Sequence, residues 1–388
     1  MHIFKYPLEN SPVPALLPTY TPYPFPLIGG SGERVCDDLG REYLDFYGGH
    51  CVVATGHSHP RLVAAVAEQA EALIFYSAAA RLPVRDQAAQ ALVDFAPESM
   101  ASVFFCNSGA EANESALKLA AQLTGRTRFT AFKGSFHGRT TLSLSVTDSP
   151  SLKKGLEPLL APVDFLPFGD LEALQAADLS KSAAVIVEPI QSMAGVSTAS
   201  REWFKALSER CQRAGTLLIF DEVQTGMGRT GQPFAAQFYG VEPDFITLAK
   251  GIASGLPMGA LLMSADIARS LKPGDLGSTF GGGPLACAAL LATLQVIRDE
   301  ELMANAAAQA ARIRVGLKGS VVTEVRGEGL LLGLKAGTQA AALKKRLQEQ
   351  HILVGGSSDP EVLRLMPPLN ISDAAVDSLL AAIRGFAA

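Results

Sequence analysis

The chain has 388 residues, of which 48% are hydrophobic, so it can bury a large core and is long enough for two or three domains. Its 33 basic and 38 acidic residues give a net charge of −5, which favours a small metabolite over nucleic acid or an anionic membrane as partner. The five cysteines are scattered and lack metal-binding spacing, which indicates reduced thiols in the cytoplasm rather than disulfides or a zinc site.

The segment up to about Arg41 is rich in proline. Pro22–Ile28 is too apolar for a solvated tail, so we predict an ordered, extended arm that lies over another part of the protein; disorder is the alternative. The first residues lack the pattern of a signal peptide and no apolar stretch approaches ~18 residues, so neither export nor membrane insertion is expected. The prolines of this segment include Pro12, Pro14, Pro18, Pro22, Pro24 and Pro26.

From Pro60 to about Met263, helical patterns alternate with short apolar runs. This alternation predicts an α/β fold in which helices flank a mostly parallel central sheet. The predicted helices cover residues 62–73, 87–95, 112–123 and 203–214, and the predicted strands cover 103–106, 183–188, 217–220 and 245–248.

The last hundred residues follow a different plan. A predicted helix at 285–299 leads to alternating elements at 340–350, 362–366 and 374–386, which fit a smaller α+β domain. We therefore predict an arm and part of the small domain at 1–55, a large domain at 56–284, and a linking helix with the rest of the small domain at 285–388.

Polar side chains follow four of the predicted strands: Asn107, Glu188, Asp221 and Lys250. In open α/β sheets, ligands bind outside the carboxyl ends of the strands. We therefore expect these four side chains to meet at one site.

Lys250 and Asp221 are the pair of residue types that pyridoxal phosphate needs. A lysine amine reacts with the aldehyde of the cofactor, and a carboxylate beside the pyridine nitrogen keeps the ring protonated and electron-withdrawing. In most proteins, each of these residues alone would be a helix cap or a strand terminus. The pair suggests the cofactor only in combination with a phosphate site.

Asn107–Asn113 (NSGAEAN) supplies a candidate phosphate site between a predicted strand and a predicted helix. The free N–H groups and the dipole of the first helical turn favour an anion, while Ser108 adds a hydroxyl and Gly109 permits close approach. An ordinary helix N-cap is the alternative.

With these residues in place, five ordered motifs resemble the class III aminotransferases, which depend on pyridoxal phosphate. The resemblance spans nearly the whole chain and implies a fold-type I enzyme with a large and a small domain. The motifs are Asn107–Asn113, Phe136–Thr140, Val187–Gln191, Asp221–Gly226 and Ala249–Gly251.

Three further segments are similar to the acetylornithine aminotransferase branch: Tyr43–His50, Gly56–Pro60 and Ser278–Gly282. The branch implies that an amino group passes from N-acetylornithine, or N-succinylornithine, to 2-oxoglutarate in arginine biosynthesis. Alternatives with the same cofactor are ornithine, 4-aminobutyrate or a carrier-bound aminoadipate derivative as donor. A glutamate-semialdehyde aminomutase, a decarboxylase and a non-catalytic cofactor-binding protein are rivals from other classes.

The resemblance also implies roles for individual residues. Phe136 and Val223 would cover the two faces of the pyridine ring, and Gln224 would hydrogen-bond its phenol oxygen. Ser278 and Thr279 would reach across a homodimer to the neighbouring site. Lys250 and Asp221 would be catalytic, and the cofactor-binding set would be Ser108, Gly109, Ala110, Phe136, His137, Glu188, Asp221, Val223, Gln224, Lys250 and Thr279.

Arg139 and Arg364 stand among small or apolar neighbours, and a guanidinium can grip a carboxylate through two parallel hydrogen bonds. By similarity, Arg364 would bind the α-carboxylate of glutamate, and Arg139 its side-chain carboxylate or the α-carboxylate of an acylornithine. Ser278 joins them as a third substrate-binding candidate. Salt bridges to protein acids are the alternative for both arginines.

One departure from the family concerns Ser192 and Met193, which stand where many relatives have Gly-Glu. The family glutamate can pair with the arginine that corresponds to Arg364, and methionine cannot. We therefore expect Arg364 to stay free of that ion pair or to be screened by another acid such as Glu188.

Two segments match patterns that are typical of a dinucleotide-binding loop and of a metal site. Gly226–Gly231 fits GxGxxG, but no strand feeds directly into it, so we interpret it as a loop. His57 and His59 lack a third ligand at a recognisable spacing, so no metal is assigned.

Overall fold

The computed structural model describes residues 16–386. The predicted strands at 103–106, 183–188, 217–220 and 245–248 are all present, with bounds that shift by a few residues. The strands are β1 (Leu27–Ser31), β2 (Arg34–Asp37), β3 (Glu42–Asp45), β4 (Met100–Cys106), β5 (Arg128–Phe132), β6 (Val163–Leu166), β7 (Ser182–Val187), β8 (Ile190–Gln191), β9 (Ser197–Thr198), β10 (Leu217–Asp221), β11 (Phe245–Leu248), β12 (Gly259–Ser264), β13 (Glu324–Glu328), β14 (Leu331–Lys335), β15 (Ile352–Leu353) and β16 (Val362–Leu365).

The predicted helices are present as well, and several begin or end at residues with clear capping roles. For example, Ser200 caps one helix by accepting from the Trp203 N–H at 3.2 Å, and Gly215 ends it with a φ of 59°. The helices are α1 (Gly48–Cys51), α2 (Pro60–Ala72), α3 (Pro83–Val93), α4 (Gly109–Thr124), α5 (Thr141–Ser145), α6 (Pro150–Lys153), α7 (Leu171–Ala176), α8 (Arg201–Ala214), α9 (Ala235–Tyr239), α10 (Ala265–Ser270), α11 (Pro284–Asp299), α12 (Leu302–Gly316), α13 (Ala340–Glu349) and α14 (Asp373–Arg384).

A seven-stranded sheet forms the centre of the larger part, in the order β4-β12-β11-β10-β7-β5-β6. β12 is antiparallel to both neighbours, and the other pairs are parallel. This confirms the predicted α/β fold with a mostly parallel sheet.

Both faces of this sheet are buried, which explains why its strands are continuous apolar runs. Along β7, Ala184 and Ile186 pack with α4 on one face, whereas Val185 and Val187 pack with Trp203 of α8 on the other. The carboxyl ends of β7, β10 and β11 therefore open onto one edge, where a ligand can enter.

Two smaller sheets complete the fold, in the orders β1-β2-β3-β15 and β13-β14-β16. β3 pairs in parallel with β15, which sets Leu44 beside Ile352 and joins early and late parts of the chain. The domain bounds at 55/56 and 284/285 stay predictions.

The predicted extended arm up to Arg41 is wrong for residues 27–37. β1 and β2 form an antiparallel hairpin there, because Gly32 adopts a φ of 56° at the turn, a conformation that glycine reaches without steric cost. Pro12 and Pro14 lie outside the described residues.

The GxGxxG segment and the two histidines have structural roles. Gly226–Gly231 is a run of turns, as predicted. His57 Nε2 lies 2.8 Å from Asp45 Oδ2, and His59 caps α2 and contacts Glu300 at 3.1 Å. Over residues 16–386, no cluster of three or more metal-ligating side chains occurs, and no helix is long and apolar enough to cross a membrane.

Candidate active site

A cavity of about 590 Å³ lies at the carboxyl ends of β4, β7, β10 and β11. It gathers most of the residues that the sequence placed at a site, from segments far apart in the chain. The predicted residues that line it are Asn107, Ser108, Gly109, Ala110, Phe136, His137, Arg139, Glu188, Asp221, Val223, Gln224 and Lys250.

Lys250 lies two residues after the end of β11 and has a φ of 48°. Burial lowers the pKa of its amine, and the nearby ionisable side chains of Cys51, Asp221 and Glu188 oppose this shift only in part. A lowered pKa increases the fraction of neutral amine, the form that can act as nucleophile or base.

Asp221 ends β10 and is 5% exposed. Its Oδ2 lies 2.7 Å from Asn113 Nδ2 and 2.7 Å from His137 Nδ1, and its Oδ1 accepts from the Val223 N–H at 3.1 Å. These partners fix the carboxylate at the floor of the cavity.

Asn113 also lines the cavity, although the sequence did not single it out. Thr247 Oγ1 donates to Asn113 Oδ1 at 2.6 Å, so the Asn113 amide nitrogen is turned toward Asp221. Asn113 lies one helical turn after Gly109 on α4, and that spacing places both on one face of the helix.

The start of α4 forms a tight turn against the opposite wall. Ser108 caps the helix by accepting from the Glu111 N–H at 3.2 Å. A Cβ added at Gly109 would lie 2.9 Å from Val223 Cγ2, so only glycine lets the first helical turn approach Val223 so closely. The exposed N–H groups of such a turn suit a phosphate.

Glu188 and Glu222 are both buried acids with different surroundings. Burial raises the pKa of Glu188 to about 7, and its Oε1 accepts from the Phe136 N–H at 2.8 Å. Burial likewise raises the pKa of Glu222 to about 7, but its oxygens accept from Ala235 and Ala236 at 2.6 and 2.8 Å. Glu222 therefore holds α9, whereas Glu188 faces the cavity.

The two arginines occupy different environments. Arg139 is exposed, lines the cavity and lies 6.0 Å from the ring of Tyr20. Arg364, in β16, is 2% exposed and is not part of the cavity lining; Nη1 contacts Ser192 Oγ at 2.9 Å and Nε contacts the Gly356 carbonyl. Among the described residues, Arg364 makes no salt bridge, as expected from Met193.

Ser278 and Thr279 do not line this cavity within the single chain. Ser278 Oγ accepts from Asn107 Nδ2 at 3.3 Å and from the Gly281 N–H at 3.0 Å, so it adjoins the phosphate turn. Thr279 is exposed.

Tyr20 and His50 also line the cavity; neither was assigned a role from the sequence, although His50 ends the motif Tyr43–His50. Burial, followed by Lys250 and Arg364, lowers the pKa of His50 to about 4, so its ring is neutral near pH 7. Its Nδ1 contacts the hydroxyl of Tyr47. No regular spacing marks His50, since it lies in a kinked turn with positive φ.

The chain is similar to known proteins over nearly its whole length. The family Aminotransferase class-III matches residues 18–386. The chain belongs to the class III aminotransferases. This confirms the resemblance drawn from the five motifs, and with it a transaminase that uses pyridoxal phosphate.

Curated relatives of this aminotransferase match over nearly their whole length. It is 42% identical to the acetylornithine aminotransferase of Methanopyrus kandleri over 94% of each chain. It is 44% identical to that of Archaeoglobus fulgidus, over 93% of this chain and 95% of the relative.

Solved structures agree with the fold. One is the ornithine aminotransferase from Toxoplasma gondii, which shows partial occupancy of PLP at its active site. Its TM-score is 0.88 at 33% identity, over 94% of this chain and 90% of that chain.

Two features of the cavity fit the cofactor. His137 Nε2 is buried and has no hydrogen-bond partner among the described residues, so a polar group of a ligand can satisfy it. Gly109 lies close to Val223, and the first turn of α4 borders the same cavity as His137.

Proposed function

We propose that this aminotransferase transfers the amino group of N-acetylornithine to 2-oxoglutarate, which gives N-acetylglutamate semialdehyde and glutamate, in arginine biosynthesis. The observation that carries the substrate is the 42–44% identity to acetylornithine aminotransferases over nearly the full chain. N-succinylornithine is the closest alternative donor, because it differs only in the acyl group.

The cofactor would be held by three groups of residues. Ser108, Gly109 and Ala110 present the start of α4 to the phosphate. Phe136 and Val223 line the cavity as apolar walls for the ring. Gln224, also in the lining, would hydrogen-bond the phenol oxygen of the ring, as the family resemblance implies. Pyridoxal phosphate, when bound, supplies an aldehyde that bonds to amines and a pyridine ring that accepts electrons from the carbon that loses its proton.

Lys250 and Asp221 would carry the chemistry. The neutral amine of Lys250 would remove the proton from the carbon that gives up the nitrogen, hold it on Nζ and return it to the carbon that receives the nitrogen. Asp221, fixed by Asn113 and His137, keeps a negative charge at the floor of the cavity. Glu188, with a pKa of about 7, lies beside this proton path.

Substrate recognition would involve the two arginines. Arg139 faces the cavity as an exposed guanidinium, which suits the α-carboxylate of an acylornithine or the side-chain carboxylate of glutamate. Arg364 would bind the α-carboxylate of glutamate. Arg364 lies behind the residues that line the cavity, and its contacts with Ser192 and the Gly356 carbonyl hold its guanidinium there.

We also propose a homodimer in which Ser278 and Thr279 reach the neighbouring site. Large apolar side chains are exposed beside this segment: Ile74 at 63%, Tyr76 at 50% and Phe280 at 65%. Such a patch favours a protein interface, and a second copy would cover it. Sedimentation equilibrium tests this, and a monomer at micromolar concentration would contradict it.

A cytoplasmic location is proposed from the thiols. The five cysteines are free, and Cys51, Cys106, Cys211 and Cys287 are buried, so the fold uses them as packing residues rather than as disulfides.

The donor is tested with the purified protein loaded with pyridoxal phosphate. N-acetylornithine, N-succinylornithine, ornithine and 4-aminobutyrate are added singly, without any oxo acid, and the visible absorbance band of the cofactor is recorded. We expect N-acetylornithine to bleach the band at the lowest concentration. A stronger response to ornithine or 4-aminobutyrate would reject the proposed substrate, and a band indifferent to all four would reject the donor class.

A further inference from the structure

Ser192, which directly follows β8, lies between two candidate site residues. Its side chain is fully buried. Its Oγ lies 2.9 Å from Arg364 Nη1 and 3.0 Å from Gln224 Oε1. Gln224 lines the cavity, whereas Ser192 and Arg364 lie behind it. The hydroxyl therefore connects a buried cation to the cavity wall.

The chemistry of the guanidinium sets the direction of both hydrogen bonds. Arginine can only donate, so Ser192 Oγ must accept from Arg364, and its one proton is left for another acceptor. Gln224 Oε1 is that acceptor, because the other group within reach, Met366 Sδ at 3.9 Å, accepts only weakly. The carbonyl of Gln224 is thereby turned toward Ser192.

The other end of the Gln224 amide then faces the cavity. Among the described residues, no acceptor bonds its Nε2. An amide nitrogen carries two N–H donors, so this end can donate to an anionic oxygen of a bound group but cannot accept from it. The orientation of Ser192 therefore decides the polarity of this part of the wall.

Arg364 itself is held by neutral oxygens. Its Nε donates to the Gly356 carbonyl and its Nη1 to Ser192, and no carboxylate of the described chain pairs with it. Burial lowers the pKa of Arg364, and the nearby ionisable side chains of Tyr47, Cys51 and Glu188 oppose this shift only in part. Neutral partners fix the direction of the guanidinium without neutralising its charge, which remains available to a carboxylate ligand.

We propose that Ser192 is a positioning residue that joins Arg364 to Gln224: it holds the guanidinium in place and presents the amide nitrogen of Gln224 to the cavity. This inference rests on the proposed function, in which Gln224 contacts the bound cofactor and Arg364 binds a carboxylate.

The first experiment needs no substrate. Ser192→Ala, Gln224→Ala and the double variant are loaded with pyridoxal phosphate, and the pH midpoint of the visible absorbance band is measured. Losing a donor to an anionic oxygen disfavours the anion, so we expect S192A and Q224A each to raise the midpoint by about half a pH unit. In the Q224A background, S192A should cause no further shift, because it acts through Gln224.

Ser197→Ala is the matched control. Ser197 lies in the neighbouring strand β9 and its hydroxyl bonds the Ala194 carbonyl at 2.8 Å, away from Arg364 and Gln224. Its midpoint should equal that of the wild type. If S192A does not accumulate as a folded protein, Ser192→Cys gives the same test, since a thiol of similar size bonds only weakly.

The second experiment measures the position of Arg364. Glutarate has the two carboxylates of 2-oxoglutarate but no oxo group, so it binds without accepting nitrogen. We expect S192A to weaken glutarate binding about tenfold, and S197A to leave it unchanged.

The outcomes separate the two proposals. An unchanged midpoint in S192A, or an equal further shift in the double variant, overturns the link to Gln224. Unchanged glutarate affinity in S192A overturns the link to Arg364. If the wild type fails to respond to N-acetylornithine, the proposed function fails instead, because neither of these measurements uses an amino donor.

Discussion

Asn113 Nδ2 lies 2.7 Å from Asp221 Oδ2 and also donates to the His137 carbonyl at 2.8 Å. One amide thus holds the carboxylate that we propose to be catalytic and the segment that follows β5. Thr247 holds the amide from behind. The position of Asp221 therefore depends on an amide to which the proposed mechanism assigns no chemical step.

Asn113→Ala should lower kcat while the cofactor stays bound. A buried carboxylate that loses a donor shifts its position, and a hydrogen bond to a charged group corresponds to about a 10- to 100-fold effect on rate. Steady-state kinetics and cofactor absorbance test this. Asn305→Ala is the control, since Asn305 donates to the Leu369 and Ile371 carbonyls away from the cavity. Equal losses of kcat in both variants would contradict the prediction.

Lys250→Ala should abolish turnover. Without the amine, no side chain at this position can bond the cofactor or move the proton, and kcat should fall by at least about 10³-fold. Lys345→Ala, on the exposed face of α13, should retain wild-type kinetics. Substantial turnover in the Lys250 variant would refute the assignment.

Met193→Glu should shift the balance between the two substrates. Met193 lines the cavity, and a carboxylate there can pair with Arg364 and compete with the α-carboxylate of glutamate. We expect the ratio of kcat/KM for N-acetylornithine to that for glutamate to rise about tenfold. Met193→Gln has the same shape without the charge and serves as the control. An unchanged ratio would mean that Arg364 is not reached from this position.

Glu188→Gln should change how stability depends on pH. Burial raises the pKa of Glu188 from 4.5 to about 7, so between these values the folded protein holds a proton that the unfolded chain has released. Its contribution to stability is therefore present below about pH 4.5 and is lost as pH rises through about 7.

The measurement is the difference in Tm between wild type and the Glu188→Gln variant across this range, since glutamine does not titrate. The Tm of the wild type minus the Tm of the variant should decrease as pH rises. Glu172→Gln, at an exposed position of α7, should give a difference that does not vary with pH. A constant difference for Glu188→Gln would show that its carboxyl is not held protonated.

The sequence located the cavity because its residues follow buried strands. Asn107, Glu188, Asp221 and Lys250 each lie at or just after the carboxyl end of a strand. Because ligands bind at these ends in open α/β sheets, the apolar runs were enough to predict where the site lies. Arg364 could not be positioned this way. It lies in β16 of a separate sheet and contacts Ser192 across 172 residues of sequence, a pairing that no local pattern encodes.

Local patterns also failed where pairing decides the structure. β12 runs antiparallel within the large sheet, and no strand was predicted there because its pairing with β4 and β11 is long-range. Proline content suggested an extended arm, but the Gly32 turn folds part of it into a hairpin. Asn113 was overlooked because a buried amide in a helix resembles any other interior position until its partners are known.

The left-handed backbone at Lys250 has a consequence for stability. A side chain at a φ of 48° costs of order 1 kcal/mol relative to glycine, which adopts this conformation freely. Lys250→Gly would therefore relieve strain and raise the free energy of unfolding while removing the reactive amine. At this position, selection for stability alone and selection for catalysis favour different residues, and the chain keeps the less stable one.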